Sequence, residues 1–231
     1  LAHCLDDVPT LVPMLLARFT VDLMRPLPVG RPLRVDSRVR REGKKLQLVE
    51  MALLDGDMEC VLASALRLRD QAVPDDQLLP GGSSDGPPST HFAPPEGSLN
   101  MRDLRPEPSG ALLASDICKA PRTGSAPGAT WVRMLAPVVA GEPVRANARM
   151  AYCFDFASLV GLEVDITTVS MINPDVSAHV LRPAVGEWIS LSGDTRVHAP
   201  VGRSMSSAEA RDERGVFAYV SASQIVEPLP S

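Results

Sequence analysis

The stretch Leu23-Met24-Arg25-Pro26 recurs in altered form as Val180-Leu181-Arg182-Pro183. In both places an apolar segment closes with an Arg-Pro pair. Proline has no backbone N–H to donate to a neighbouring strand, so it is typical of the end of a strand. Two strands that end alike, each followed by further strands in the same order, indicate an internal duplication.

Four strands are predicted in the first part of the chain. Alternation of apolar and polar side chains is typical of a half-buried strand. It runs through residues 19–23 and, most regularly, through 33–40, for which we predict one face exposed to solvent. Residues 46–54 and 58–69 are predicted as strands joined by Asp55-Gly56, a dipeptide favoured in tight hairpins. The four strands form an antiparallel meander.

The second part of the chain repeats this order. A helix is predicted over residues 155–162, with Asp155 as its N-cap. A turn is predicted at Glu213-Arg214-Gly215. The remaining segments predicted as strands are 130–134, 176–181, 188–197, 204–211 and 216–226.

Residues 71–108 separate the two parts. They are rich in Pro, Gly, Ser and Asp and carry no sustained periodicity, and their length exceeds that of most connections in a compact fold. We therefore predict a linker at 71–108 between a first unit, 1–70, and a second unit, 109–231. Because the chain starts at Leu1 with a short apolar segment, an amino-terminal piece is expected to precede it.

The composition is that of a packed, soluble protein. The 231 residues are 45% hydrophobic and 22% charged, with a net charge of −5. Acidic and basic residues are interspersed, which argues against nucleic acid as a partner. No apolar run reaches the roughly 18 residues that span a bilayer, and the start lacks the basic flank of a signal peptide. A cytoplasmic location without a membrane span is expected.

No motif indicates a metal or cofactor. The four cysteines stand apart from one another and are predicted to be buried free thiols. Glycine-rich nucleotide loops and HExxH are absent. Residues 202–206, Gly-Arg-Ser-Met-Ser, lack the final glycine of a nucleophile elbow, so a serine hydrolase is not indicated.

Residues 172–183 place Asp175 seven positions before Arg182-Pro183, and Glu187-Trp188 follows soon after. With the duplicated meander, this pattern resembles the double hotdog fold of acyl-CoA thioesterases of the thioesterase II type. Trp131-Val132-Arg133 and the closing hairpin that carries Gln224 are also similar to that family. The resemblance covers nearly the whole chain. It implies an α+β double hotdog, two curved antiparallel sheets each wrapping a central helix, with the first hotdog incomplete at its amino-terminal end.

The resemblance also implies a site. In that family an Asp, a Ser or Thr and a Gln hold and activate a water that attacks the thioester. The matching positions are Asp175 and Gln224, with the hydroxyl supplied by Ser190, Ser192 or Thr195, of which Thr195 fits the spacing best. A one-residue slip in a strand would turn that hydroxyl to the other face.

These residue types suit thioester hydrolysis, because a carboxylate can accept the proton of a water that two neutral partners orient. Backbone N–H groups near 155–158, or their counterparts before Leu1, are expected to stabilise the carbonyl oxygen. At the offset of the duplication, the three site positions fall on Arg18, Arg38 and Ala65. One reaction centre per chain is therefore expected, with the first half supplying structure and the acyl tunnel.

The predicted function is hydrolysis of a fatty acyl-CoA to free acid and CoA, without a cofactor. One alternative is a non-catalytic protein that binds acyl-CoA or an acyl carrier. Another is an enoyl thioester hydratase or dehydratase, which would use Asp175 and His179, although their spacing of four misses that family's five. Arg25 and Arg182 are interpreted as structural, paired with carboxylate or carbonyl groups. Homodimerisation is left open.

Overall fold

The computed structural model describes residues 1–77, 87, 89, 91–104, 110–121, 128–161 and 168–229. Their strands are β1 (Met14–Leu23), β2 (Arg34–Arg41), β3 (Leu46–Asp55), β4 (Met58–Arg69), β5 (Leu99–Asn100), β6 (Ser115–Lys119), β7 (Ala129–Met134), β8 (Val169–Ile172), β9 (Asp175–Val180), β10 (Ile189–His198), β11 (Arg203–Asp212) and β12 (Gly215–Pro228). The α-helices are α1 (Ala2–Leu5), α2 (Ala111–Ala114) and α3 (Ala146–Phe154). Short 3-10 helices lie at Asp75–Gln77, Met101–Leu104, Asp155–Leu159 and Ala199–Val201.

The strands form one antiparallel sheet in the order β2-β3-β4-β1-β9-β12-β11-β10-β7-β6-β5, and β8 pairs with β12. Read outward from the centre, β1-β4-β3-β2 and β9-β12-β11-β10 have the same connectivity. This repeated connectivity confirms the duplication of strand order that the Arg-Pro pairs predicted.

The prediction of two separate sheets was wrong, because β1 and β9 pair and join the halves into a single sheet. Their register runs from Arg18 opposite His179 to Asp22 opposite Asp175. An edge strand presents unpaired N–H and C=O groups, and pairing one edge with its counterpart satisfies both. The two halves therefore meet along a line that passes beside Asp175.

Most predicted strands are confirmed to within a few residues, and β4 has the predicted bounds. The predicted single wet face of β2 was wrong, since the strand is exposed along almost its whole length. Only Val35 packs against the core. The reason is its place as the outermost strand of the sheet, where it has a neighbour on one side only.

The helix of the second half differs from its prediction. The α-helix α3 ends at Phe154, and Asp155 is its C-cap and not an N-cap. Met150, Cys153 and Phe154 are buried at the spacing of one helical face. Phe154 stacks on Phe217 of β12 with ring centroids 6.2 Å apart. The apolar face, and not the acidic residue, therefore determined where the helix lies.

No central helix is seen for the first half in the described ranges. The short helix α1 lies there, with Leu5 fully buried. It meets the start of α3 through Arg145, which donates to the His3 carbonyl and to the Asp7 carboxylate. The core of the described chain is thus shared between the two halves.

The range predicted as a linker contains described structure at its carboxyl end, where β5 pairs with β6. Phe92 packs on Trp131 of β7 with ring centroids 4.7 Å apart. Much of 78–90 and all of 105–109 lie outside the described residues. The division at 71–108 stays a prediction.

Both Arg-Pro arginines have partners of the interpreted kind, a carbonyl for one and a carboxylate for the other. Arg25 donates to the Glu59 carbonyl at 2.9 Å. Arg182 makes a two-pronged ion pair with Asp212, at 2.5 and 2.9 Å. No helix in the described ranges has the length and hydrophobicity needed to cross a membrane.

The cysteines are free thiols, and three of them are buried: Cys60, Cys118 and Cys153. Cys4 is only partly buried, so the prediction is confirmed for three of the four. Burial raises the pKa of Cys153 to about 12. A thiol held in its neutral form in this way is unreactive.

Candidate active site

Gln224 on β12 lies in a small buried network of polar side chains. The residue is only 3% exposed. The amide oxygen accepts a hydrogen bond from Ser204, the residue directly opposite on β11. The amide nitrogen lies 3.3 Å from the hydroxyl of Ser206, to which it donates. Gln224 is thus held with both ends of its amide occupied.

Thr195 on β10 lies on the same face, opposite Ser206. It is 2% exposed and donates from Oγ1 to the carbonyl of Val160 at 2.6 Å. Its side-chain oxygen can still accept a hydrogen bond. The structure therefore brings Thr195 and Gln224 to one buried face, with Ser206 on the strand between them.

The other candidate hydroxyls lie elsewhere. Ser190 and Ser192 stand opposite Arg211 and Glu209 on β11. Since side chains alternate between the two faces of a strand, both point to the face that Thr195 does not. Of the three predicted alternatives, only Thr195 shares a face with Gln224.

Asp175 is not brought together with these two residues. It begins β9, and its Oδ1 accepts a hydrogen bond from the Ser223 backbone N–H at 2.9 Å. Along β9, buried Val176 and Ala178 alternate with Asp175 and exposed His179. The carboxylate therefore follows the outer face of the sheet, whereas Gln224 lies on the inner face.

A second carboxylate, that of Asp155, lies at the end of β8. Asn173 donates from Nδ2 to the Oδ1 and the backbone carbonyl of Asp155, each at 3.1 Å. On β8 and β12, Ile172 is opposite Ile225. Asn173 comes one residue after this last pair on β8, and Gln224 comes one residue before it on β12, so the two residues are neighbours at the end of the pairing. Asp155, Asn173 and Gln224 therefore form one candidate site.

The side-chain oxygen of Asn173 is a buried acceptor with no partner in the described structure. An unsatisfied buried acceptor is uncommon and calls for a ligand or a water to bond to it. It lies beside the Asp155 carboxylate, which is itself exposed. The pair can therefore hold a water between a base and an acceptor.

Sequence reasoning missed Asp155 and Asn173 because each had an ordinary local interpretation, a helix cap and an Asn-Pro turn. A signal was available in the residue after Asn173. Pro174 cannot donate to β12, so the ladder breaks there and the Asn173 side chain is free to reach the 3-10 helix.

The turn after Asp155 is fixed against β10. The Val160 carbonyl accepts a hydrogen bond from the Thr195 hydroxyl. The next residue, Gly161, has a φ of +55°, which residues with a side chain rarely adopt. A Cβ on Gly161 would come within 3.0 Å of the Asp194 Cα. The 3-10 helix that carries Asp155 is thereby held at a set distance from the sheet.

The N–H groups of residues 155–158 were expected to stand at the start of an α-helix and to stabilise the carbonyl oxygen. They do not stand at such a start. They follow the carboxyl end of α3, where carbonyl groups and not N–H groups are left unpaired. The expectation rested on the wrong helix bounds.

Two cavities adjoin the site. The first, of about 480 Å³, is lined by Asn173, by Arg25 and by apolar side chains, most of them from the first half: Leu23, Met24, Pro26, Leu27, Val61, Ile172, Pro174 and Ile225. We call it the apolar cavity. The second, of about 490 Å³, is lined by Gln224 and Ser204 and by three basic residues, Arg196, His198 and Arg203. We call it the cationic cavity. Pro174 and Ile225 line both.

A third, larger hollow of about 600 Å³ lies on the outer face of the sheet and includes His179, Ser192 and Tyr219. It contains none of Asp155, Asn173 and Gln224. Size alone would select it, but the unsatisfied acceptor and the neighbouring carboxylate favour the smaller cavities.

Solved structures share this fold. An acyl-CoA thioesterase II, TesB2, from Mycobacterium marinum matches with a TM-score of 0.67 and 14% identity over 94% of this chain and 82% of its own. A hot dog fold protein of unknown function from Alicyclobacillus acidocaldarius gives 0.69 and 12%, over 100% and 86%. The dehydratase domain of PpsC from Mycobacterium tuberculosis, in complex with C12:1-CoA, gives 0.57 and 14%, over 98% and 81%. At such identities the likeness shows a hotdog fold.

Among curated proteins, no sequence matches this chain. Two family profiles do. One, for the acyl-CoA thioesterase N-terminal domain, matches residues 1–68. The other, for the acyl-CoA thioesterase C-terminal domain, matches residues 82–225, more than half of the chain. The chain therefore belongs to the acyl-CoA thioesterase family.

Proposed function

We propose that the protein hydrolyses a fatty acyl-CoA thioester to the free acid and CoA. The observation that carries this proposal is the hydrogen bond from Asn173 to the Asp155 carboxylate, together with the apolar cavity that Asn173 lines. A carboxylate, an unsatisfied acceptor and an apolar cavity are what attack of water on an acyl thioester requires. Membership of the family supports the same reaction.

In the proposed reaction, Asp155 removes a proton from a water that also donates to the free Asn173 oxygen. The water oxygen bonds to the thioester carbonyl carbon and gives a tetrahedral intermediate. The carbon–sulfur bond then breaks, and CoA leaves as a thiolate that takes up the proton held by Asp155, which restores the carboxylate. The amide of Gln224, fixed by Ser204 and Ser206, is suited to orient the water or the carbonyl without exchanging a proton itself.

The set derived from the resemblance, Asp175, Thr195 and Gln224, differs in its carboxylate. Gln224 is common to both sets. We propose Asp155 in place of Asp175 as the base, because Asp175 follows the opposite face and is bonded to the Ser223 N–H. Thr195 acts as a positioning residue, since its hydroxyl holds the carbonyl of Val160 in the turn that follows Asp155.

The acyl chain is proposed to lie in the apolar cavity. Leu23, Met24 and Leu27, from the first half, present half-exposed apolar side chains to it. Burying such side chains against a hydrocarbon is favourable by about 25 cal/mol per Å². The half without the reactive residues would thus supply the acyl site.

Incubation of the purified protein with acyl-CoAs of increasing chain length and a thiol-reactive dye tests the reaction. Release of CoA thiol is expected. Binding without release would instead support the non-catalytic alternative. Asp175 and His179 share a face, as a hydratase or dehydratase would need, so an enoyl-CoA should be assayed in parallel for loss of its conjugated absorbance. Absorbance loss without thiol release would favour that alternative.

A further inference from the structure

Three basic side chains gather around the cationic cavity at one end of β10 and β11. His198 stands opposite Arg203, and Arg196 stands opposite Met205, one step along the same face. All three basic residues are exposed. Cross-strand neighbours lie about 5 Å apart, so the charges converge on one small region.

Two of these side chains have no partner of their own. Arg196 pairs with the Asp194 carboxylate at 3.1 Å. For Arg203 and His198, the described residues provide no side-chain hydrogen bond or ion pair. In a chain of net charge −5, unpaired basic groups lining a cavity mark where an anion is attracted.

The cavity also has a fixed relation to the candidate site. Gln224 lines the cationic cavity. Ile225 lines both the cationic and the apolar cavity, and it stands directly opposite Arg203. Arg203, His198 and Ile225 share the outer face of the sheet, whereas the Gln224 side chain lies on the inner face. Because the two cavities meet at Ile225, an anion held by Arg203 would lie next to the apolar cavity. A ligand that fits has a hydrocarbon at one end, a thioester in the middle and phosphates at the far end of a flexible arm.

Resting on the proposed function, we infer that the cationic cavity binds the phosphates of the nucleotide part of CoA. Guanidinium groups match phosphate oxygens in shape and charge, and such bonds are stronger than neutral ones. The cavity thereby selects acyl groups carried by CoA over the same acyl groups on a shorter thiol.

The test compares one acyl group on CoA and on N-acetylcysteamine, which lacks phosphates. Replacing Arg203 by Ala is expected to lower kcat/KM about tenfold on the CoA ester through KM, and far less on the short ester. His198→Ala should add to the loss. Arg211→Ala is the matched control, because Arg211 lies on the same strand and face but pairs with Glu209 at 2.7 Å, outside the cavity.

Equal losses on both esters, or no loss on the CoA ester, would overturn the inference. Acyl-phosphopantetheine, the group that a carrier protein bears, separates the two sources of phosphate. It should show much less dependence on Arg203 than acyl-CoA. If Arg203→Ala lowers kcat/KM on acyl-phosphopantetheine as much as on acyl-CoA, the cavity binds the pantetheine phosphate. That result would contradict its assignment to the nucleotide.

Calorimetric titration with free CoA makes the inference testable without turnover. About tenfold weaker binding is expected for Arg203→Ala than for the wild-type protein, with the difference shrinking at high salt. If the wild-type protein hydrolyses neither ester, the proposed function fails while this titration still decides on the cavity. Equal affinities for CoA would refute the cavity and leave hydrolysis standing.

Discussion

The Nδ2 of Asn173 lies 3.1 Å from the Oδ1 of Asp155, to which it donates, and this contact connects the end of β8 to the 3-10 helix after α3. The two residues are far apart in sequence, and neither belongs to a recognisable motif. Their contact holds the Asp155 carboxylate at the end of β8, the strand that pairs with β12 next to Gln224.

Asp155→Asn should lower kcat by about a hundredfold or more, the usual contribution of a general base. The change keeps the shape of the side chain, so stability should change little. Asp175→Asn is the matched variant, and we expect it to keep most of the activity. Steady-state release of CoA thiol measures both. If Asp175→Asn loses its activity and Asp155→Asn keeps it, Asp175 and not Asp155 is the general base.

Thr195→Val should destabilise the protein by about 1–3 kcal/mol, because the buried Val160 carbonyl loses its donor. The activity of the folded protein should fall as well, since the turn after Asp155 loses an anchor. Thr195→Ser keeps a hydroxyl and should recover both properties in large part. Urea unfolding with thiol-release assays separates the effects. Loss of stability with full activity would make Thr195 purely structural.

Substituting Trp for Met24 should shorten the preferred acyl chain, because Met24 lines the apolar cavity and is 43% exposed. Each buried methylene contributes about 0.8 kcal/mol, so each one displaced costs about fourfold in kcat/KM. Val29→Trp is the control, since Val29 is fully exposed and outside the cavity. A chain-length profile unchanged by Met24→Trp would place the acyl group elsewhere.

The stability of the protein should fall in acid through Asp212. Burial alone would raise the pKa of this carboxyl, but hydrogen bonds from Arg182, the Val185 N–H and the Arg214 N–H hold its pKa below the usual value. A carboxyl whose pKa is lower when folded stabilises the protein above its unfolded pKa of about 3.9. That contribution is lost as the pH falls toward the folded value.

Asp212→Asn should therefore cost about 3 kcal/mol at pH 7, because it removes the buried carboxylate charge with which Arg182 makes its two-pronged ion pair. It should also flatten the dependence of stability on pH between 3 and 5. Urea unfolding across that range gives both quantities. An equally steep acid loss in the variant would assign the pH dependence to other carboxyls.

Local patterns in the sequence were enough to predict most of the strands, the duplication of strand order and the kind of partner that the two Arg-Pro arginines have. Alternation with period two and a hairpin glycine depend on a few neighbouring residues, as at β4 and Gly56. The family resemblance added Gln224, which lies in the candidate site.

Only the tertiary structure decided which carboxylate and which hydroxyl share the face of Gln224. Residues two positions apart on one strand share a face, so spacing alone would place Asn173 with Asp175. The pairings of β8 and β9 with β12 differ in register by one residue, and such a shift reverses the face. The pairing of β1 with β9, which joins the halves into one sheet, and the contact of Asn173 with Asp155 both link distant segments. Such contacts depend on how whole elements pack, and no local pattern in this sequence carries them.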